Sequence, residues 1–158
     1  MNKSWKIIKN IKFESLNECL KELKKKKINV SIWIEDIIKL NKYNYSNINF
    51  PIKLVRKFVK DFGFKGPTEL NKIYSKAKKL GLNLVPPEIA IYARLIYNEQ
   101  PNGEWLRFAT PFNSMVDSDG VPHLPKLGKS LGFFFIETYW SYPKAIFHPH
   151  NEFVFLLK

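Results

Sequence analysis

The spacing of apolar residues changes at Pro86 and Pro87, and this change constrains the fold more than any other feature of the 158-residue chain. Before this point, apolar residues recur three and four positions apart, which places them along one side of an α-helix. After it, short apolar runs alternate with turn-forming residues, as is typical of β-strands. The sequence therefore predicts an α+β protein, with about four helices in its N-terminal half packed on a C-terminal antiparallel sheet of four to five strands.

Helix signals are strong in the first half. Ser15 and Glu18 have the spacing of a capping box, and the serine at position 31 is suited to cap a second helix. The predicted helices cover residues 16–27, a segment that follows Ser31, residues 51–62 and residues 68–80. Cys19 falls on the apolar side of the first of these helices, so we expect it to be buried.

The second half is predicted to form strands. Residues 94–97 and 104–108 flank a turn-like segment and are expected to pair as a hairpin, and later strands are predicted over 131–140 and 152–157. Pairing in this hairpin would place Arg94 opposite Arg107, on the same face as Trp105. Like charges that face each other across two strands repel, so we expect either a neutralising carboxylate, for example Glu137, or a bound anion beside them.

The asparagine-rich segment 41–50 lacks helical periodicity and is predicted to be a linker. About 40 residues would make a poor independent core. We therefore expect residues 1–50 to form a helical N-terminal appendage that leans on an α+β core domain over residues 51–158, with helices in 51–80 and the sheet in 92–158.

Charge is distributed unevenly along the chain. Residues 1–82 contain 20 Lys/Arg and 7 Asp/Glu, whereas residues 83–158 contain 6 Lys/Arg and 7 Asp/Glu. The formal charges of the two parts are therefore +13 and −1, which sum to the net charge of +12. This asymmetry is compatible with a nucleic acid or acidic protein partner. The alternative is a solvated lysine surface encoded by an AT-rich gene, since 23 of the 26 basic residues are lysines.

Composition and motifs argue against several other classes of protein. The single cysteine cannot form an internal disulfide, and no apolar run reaches the roughly 20 residues that cross a bilayer, so a cytoplasmic protein without membrane contact is expected. Gly128-Lys129-Ser130 lacks the upstream glycine of a phosphate-binding loop. Neither the Asp117–Gly120 turn nor the His148-Pro149-His150 segment has the ligand set of a metal site, and no cofactor is predicted.

Four segments of the sequence resemble a family of small uncharacterised bacterial proteins. The segments are FGFKGPTELNKIYSKAKKLGLNLVPPE (62–88), RLIYNEQPNGEWLRFA (94–109), DSDG (117–120) and NEFVF (151–155). SIWIEDIIK, in the first half, is similar to a WIEDIIK-type segment of that family. The resemblance implies a bacterial protein, and it carries no activity, cofactor or site residue.

Two functional hypotheses follow. The first is a non-enzymatic binding or accessory protein whose basic helical half contacts nucleic acid or an acidic partner, with Lys72, Lys76 and Lys79 exposed on the second helix of a helix-turn-helix. The second is a small enzyme for an anionic substrate held at the predicted hairpin. Its anion-binding candidates are Arg94, Trp105 and Arg107, and its proton-transfer candidates are Asp117, Asp119 and His148. The sequence leaves the oligomeric state open.

Overall fold

The fold is taken from a computed structural model, which describes residues 3–157. Within that range the chain forms four α-helices: α1 (Leu16–Lys25), α2 (Ile32–Leu40), α3 (Leu70–Lys79) and α4 (Pro87–Ile96). The strands are β1 (Lys6–Ile8), β2 (Asn29–Val30), β3 (Ile52–Phe58), β4 (Thr68–Glu69), β5 (Leu82–Asn83), β6 (Trp105–Phe108), β7 (His123–Ser130), β8 (Phe133–Trp140), β9 (Ile146–Phe147) and β10 (Glu152–Leu157). No helix among these residues has both the length and the apolar character needed to span a membrane.

The predicted helices α1, α2 and α3 are confirmed. The Ser15 hydroxyl accepts a hydrogen bond from the Glu18 backbone at 3.4 Å, and the Ser31 hydroxyl accepts one from the Trp33 backbone at 3.1 Å. Both contacts satisfy amide groups that have no partner within the first turn of a helix. Cys19 is fully buried on α1, as its position in the apolar stripe predicted.

The predicted helix over 51–62 is wrong. Residues Ile52–Phe58 form strand β3, and a single 3-10 turn, Val59–Phe62, follows it. The apolar residues of this segment fit the two-residue repeat of a strand as well as the repeat of a helix. Ile52 and Leu54 are buried on one face of the strand, and Val55 is buried on the other. β3 pairs with β1 on one side and β10 on the other, and these distant partners decide between the two periodicities.

The predicted hairpin is also wrong, because its first strand lies within helix α4. Pro87 occupies the first turn of this helix, where the missing backbone N–H costs nothing. Ile89, Ala90, Ile91 and Ala93 are all completely buried, so the helix has no polar stripe that would reveal its period. The second predicted strand is correct as β6, and the predicted strands at 131–140 and 152–157 are confirmed as β8 and β10.

The main sheet is larger than predicted and is mixed rather than antiparallel. Its order is β1-β3-β10-β6-β7-β8-β2, and β5 pairs with the end of β10 to make an eighth strand. β6 runs parallel to β10 and β2 runs parallel to β8. The α+β class is confirmed, but the helices are not confined to the N-terminal half, since α4 lies at residues 87–96.

The sheet is covered on both sides, to different extents. Helices α1, α2 and α4 pack on one face against a core that includes Leu54, Leu106 and Ile136. Helix α3 packs on the opposite face, where the second core includes Leu124 and Phe155. We call these the three-helix face and the α3 face.

Residues 3–50 contact the rest of the described chain through both helices and strands. β1 pairs with β3, β2 pairs with β8, and α1 packs against α4. The expected division of the chain at residue 50 stays a prediction.

Candidate functional site

Part of the α3 face carries aromatic and basic side chains that belong to neither apolar core. Trp105 lies opposite Gly128, and Gly128 lies opposite Phe135, in neighbouring strands. Directly opposed residues share a face of a sheet, so these side chains lie on the same side as Leu124 of the second core. We use the name open sheet face for the surface formed by Trp105, Arg107, Lys126, Phe133 and Phe135, of which Phe133 is 61% exposed and the others are half-buried.

Trp105 lies flat against the sheet because residue 128 is a glycine. A Cβ atom at Gly128 would come within 2.2 Å of the Trp105 ring, so any larger residue would displace the indole. The ring centroid is 6.0 Å from that of Phe135, with an angle of 37° between the planes. The Nζ atom of Lys126 lies 5.0 Å from the Trp105 ring centroid, within range of a cation–π contact. These contacts fix the orientation of the indole.

Two cations lie side by side on this face. Arg107 is directly opposite Lys126, and the buried Nε atom of Arg107 has no hydrogen-bond partner. Burial lowers the pKa of Arg107, and burial together with the nearby Arg107 charge lowers the pKa of Lys126. Glu137 lies opposite Lys126, yet among residues 3–157 no carboxylate comes within 4.0 Å of either cation. Neither cation therefore has a direct ion-pair partner within the described fold, although the charge of Glu137 partly offsets the lowering of the Lys126 pKa.

Arg94 is not part of this surface. It is 1% exposed and extends from α4 into the interior on the three-helix face. Its terminal nitrogens donate to the side chain of Gln100 and to the backbone carbonyls of Tyr97, Gly128 and Phe135, at 2.7 to 3.2 Å. Burial lowers its pKa to about 10. The predicted convergence of Arg94 with Arg107 is wrong, and Arg94 instead supports the backbone beneath the open sheet face.

The lysines proposed from sequence lie on α3. Lys72, Lys76 and Lys79 border a groove of about 440 Å³ together with Phe64 and Ser75. The Nζ atom of Lys72 is 4.0 Å from a Glu69 oxygen, a weak exposed pair. The helix-turn-helix interpretation is wrong because its first helix is strand β3. The three lysines remain on the side of the sheet that carries the open sheet face.

A separate cavity of about 540 Å³ lies beside the last residues of β8. Asp117, His123 and Thr138 line it, and the Trp33 ring stacks on His123 with 5.7 Å between centroids. His123 Nε2 is 2.8 Å from Asp117 Oδ2, and His123 Nδ1 is 2.9 Å from the Thr138 hydroxyl. The three side chains form a continuous carboxylate–imidazole–hydroxyl chain.

Asp117 is fixed in place by its own turn. Its Oδ1 atom accepts hydrogen bonds from the backbone N–H groups of Asp119 and Val121, at 2.8 and 2.9 Å. The hydrogen bond with His123, followed by these backbone bonds, lowers the pKa of the Asp117 carboxyl group although the residue is only 5% exposed. The carboxylate is therefore ionised at neutral pH.

The remaining candidates do not join these sites. His148 and His150 stack on each other with 5.8 Å between ring centroids, in the loop before β10. Within residues 3–157 there is no cluster of three or more His, Cys, Asp or Glu side chains able to hold a metal ion. Asp117 and Asp119 line the cavity rather than the predicted hairpin site.

Sequence reasoning missed Gly128, Lys126 and the His123–Thr138 contact. Lys126 becomes the neighbour of Arg107 only through the register between β6 and β7. A local signal did exist for Asp117 and His123, since they flank a tight turn six residues apart.

Comparisons with known proteins contribute no relative: no family model, no curated protein and no solved structure matches this chain.

Proposed function

We propose that the protein binds single-stranded nucleic acid on the open sheet face. The observation that carries this proposal is the flat Trp105 ring on Gly128, next to the facing cations Arg107 and Lys126. An aromatic platform beside cations is the arrangement with which sheets hold unpaired nucleotides.

The aromatic residues account for contacts with bases. Trp105 and Phe135 lie within 6.0 Å of each other, and Phe133 is exposed two residues before Phe135 on the same face of β8. A base can stack on an aromatic ring because every base has a complementary π surface, and at Trp105 the Lys126 ammonium would move from the ring towards a phosphate. The proposal therefore predicts weak dependence on nucleotide sequence.

The cations account for contacts with the backbone. A phosphate placed between Arg107 and Lys126 would relieve the repulsion of two like charges that face each other across neighbouring strands. Lys72, Lys76 and Lys79 lie on the same side of the sheet and could extend the basic track. The formal net charge of +12 favours association with any polyanion.

A single strand suits this surface better than a duplex. The bases of a duplex are stacked inside it, so a flat sheet would touch only its phosphates and sugars. The half-buried rings of Trp105 and Phe135 would then remain unused. A protein that recognised only charge would not need them.

Fluorescence anisotropy with labelled oligonucleotides tests the proposal. Single-stranded DNA and RNA of about 12 nucleotides, and a duplex of equal length, would be titrated with protein at about 50 and 200 mM salt. We expect both single strands to bind more tightly than the duplex. Trp105→Ala should weaken binding about 5- to 150-fold, the loss expected for one stacked base.

The charge contribution has a matched control. Lys126→Gln should reduce the slope of log K against log salt by about 0.7, the value for one phosphate contact on a single strand. Lys21→Gln removes the same charge from an exposed position on α1, on the opposite face of the sheet, and should leave affinity almost unchanged. Circular dichroism would establish that each variant is folded.

Two results would contradict the proposal. One is equal affinity of wild type and Trp105→Ala for single strands. The other is an equal effect of the substitutions at Lys126 and Lys21, which would indicate attraction by net charge alone and would favour an acidic partner protein.

A further inference from the structure

The second cavity holds a chain of three side chains that binding of nucleic acid does not use. Asp117, His123 and Thr138 are joined by contacts of 2.8 and 2.9 Å. We propose that this cavity hydrolyses carboxylic esters, with Thr138 as nucleophile, His123 as general base and Asp117 as the residue that positions the imidazole.

Protonation states follow from the hydrogen bonds. The ionised Asp117 carboxylate can only accept, so the proton of a neutral His123 imidazole lies on Nε2 and points to Asp117 Oδ2. Nδ1 is then an acceptor, and its partner at 2.9 Å is the Thr138 hydroxyl, which donates to it. A hydroxyl that donates to a fixed imidazole nitrogen is placed for activation as a nucleophile. The ring nitrogens have exchanged the roles that they have in serine protease triads, but the order of the groups is the same.

The bond changes balance without a cofactor. Thr138 Oγ attacks the ester carbonyl carbon while its proton passes to His123 Nδ1, and the carbonyl π electrons move to oxygen. Collapse of this intermediate expels the alkoxide, which takes the proton from Nδ1 and leaves as an alcohol. Water then attacks the acyl-threonine and gives a proton to Nδ1, and that proton returns to Thr138 as the acid is released. The sum is ester plus water to acid plus alcohol.

The cavity walls indicate the class of ester. The rings of Trp33 and Trp140 border it with aromatic surface, and these residues are 40% and 59% exposed. Asp119 lines the cavity close to the Asp117 carboxylate and adds negative charge. Like charges repel in a partly enclosed site, so an anionic substrate is disfavoured. The substrate is therefore a neutral or cationic ester with an apolar acyl or alcohol group.

The start of helix α2 borders the reacting groups. Ser31 and Trp33 both line the cavity, and α2 begins at Ile32. The N-terminal end of a helix carries partial positive charge, which favours the oxyanion formed when the carbonyl is attacked. The helix end therefore complements the three side chains, which supply the nucleophile and the base.

The test combines covalent labelling with steady-state kinetics. The full-length protein would be treated with a fluorophosphonate probe, the labelled peptide identified by mass spectrometry, and hydrolysis of p-nitrophenyl butyrate measured. We expect the label on Thr138. Thr138→Val, which keeps the side-chain shape, should abolish labelling and lower kcat/KM at least about 100-fold. Thr138→Ser should retain both.

A matched hydroxyl control and a variant of Asp117 complete the design. The Thr68 hydroxyl lies in β4, away from the cavity, and donates a hydrogen bond to the Gly66 carbonyl. Thr68→Val removes this hydroxyl and should leave labelling and rate unchanged. Asp117→Asn keeps the Oδ1 acceptor for Asp119 and Val121 but loses the carboxylate facing His123. It should lower kcat about 100-fold or more with little change in KM, a split that general loss of structure would not produce.

The proposal would be overturned by wild-type protein that is neither labelled nor faster than Thr138→Val. Labelling at another residue that persists in Thr138→Val would also overturn it. Neither result bears on binding of nucleic acid, which uses different side chains.

Discussion

Gly128→Ala gives the sharpest test of how the open sheet face is built. The added Cβ would lie 2.2 to 2.4 Å from three atoms of the Trp105 ring, whereas an ordinary contact begins at 3.4 Å. The ring must therefore shift by at least 1.2 Å, the difference between 3.4 and 2.2 Å. Gly128 does not have a positive φ, so alanine introduces no backbone strain of its own. The three atoms nearest to the added Cβ all belong to the Trp105 ring, so the clash is with the indole.

The size of the effect follows from this clash. Overpacking of a well-filled site typically costs about 1 to 3 kcal/mol, so Gly128→Ala should lower the melting temperature by about 2 to 12 °C. In a Trp105→Ala background the clash is absent, and alanine in a strand is favoured over glycine by about 0.5 to 1 kcal/mol. The same substitution should therefore destabilise one background and stabilise the other.

Urea unfolding followed by circular dichroism measures all four members of this double-mutant cycle. We expect a coupling energy of about 1.5 to 4 kcal/mol between the two positions. Gly128→Ala should also weaken binding of single-stranded nucleic acid, because the displaced indole no longer lies flat. An equal change in the free energy of unfolding in both backgrounds would refute the reasoning, since it would mean that the Trp105 ring does not rest on Gly128.

Two further predictions concern buried groups. Burial raises the pKa of the Cys19 thiol to about 11, so the folded protein should not react with a thiol reagent at pH 8 and should react once unfolded in urea. The Cys19 thiol loses its proton at a lower pH in the unfolded state than in the folded state, so the free energy of unfolding should fall as pH rises from about 9 towards 11. Unchanged urea midpoints over that pH range would contradict the raised pKa of Cys19. Arg94→Met should destabilise the fold by at least about 3 kcal/mol, since it leaves Gln100 and several carbonyls without a donor. Arg107→Met, the matched control with no such bonds, should cost far less in the same unfolding experiment.

The parts of the fold predicted correctly from sequence are those with local signals. Helices α1 and α2 begin at Ser15 and Ser31, whose hydroxyl contacts are made within three residues. Strand β3 lacks such a signal, and helix α4 has one only at its start, where Pro87 lies in the first turn. β3 carries apolar residues on both faces and α4 is buried over most of its circumference, so neither shows one clean period. Their identity is decided by partners more than 25 residues away, such as β10 for β3 and β7 for α4.

The candidate site divides in the same way. Trp105 and Arg107 were correctly placed on one face because alternation along a strand is a local property. Arg94 was misplaced because its segment is helical. The neighbours that give Trp105 its orientation, Gly128 and Phe135, lie 23 and 30 residues away, and only the register of three strands brings them together. The sequence could therefore indicate the residue types of the surface but not its geometry.

The three arginines show why total charge is a poor guide to function here. Arg56 is held by Glu104 and Glu152 at 2.8 and 2.7 Å, and Arg94 is held by carbonyls and Gln100. Both guanidinium groups are thus largely used within the fold. Arg107 has no such partner among residues 3–157 and faces Lys126 on the incompletely covered side of the sheet. Many lysines of the basic first half lie on α1, on the opposite side, where they cannot reach the same ligand. A specific anion site is indicated by a cation pair beside a fixed aromatic ring, and the number of basic residues elsewhere determines only the general attraction to polyanions.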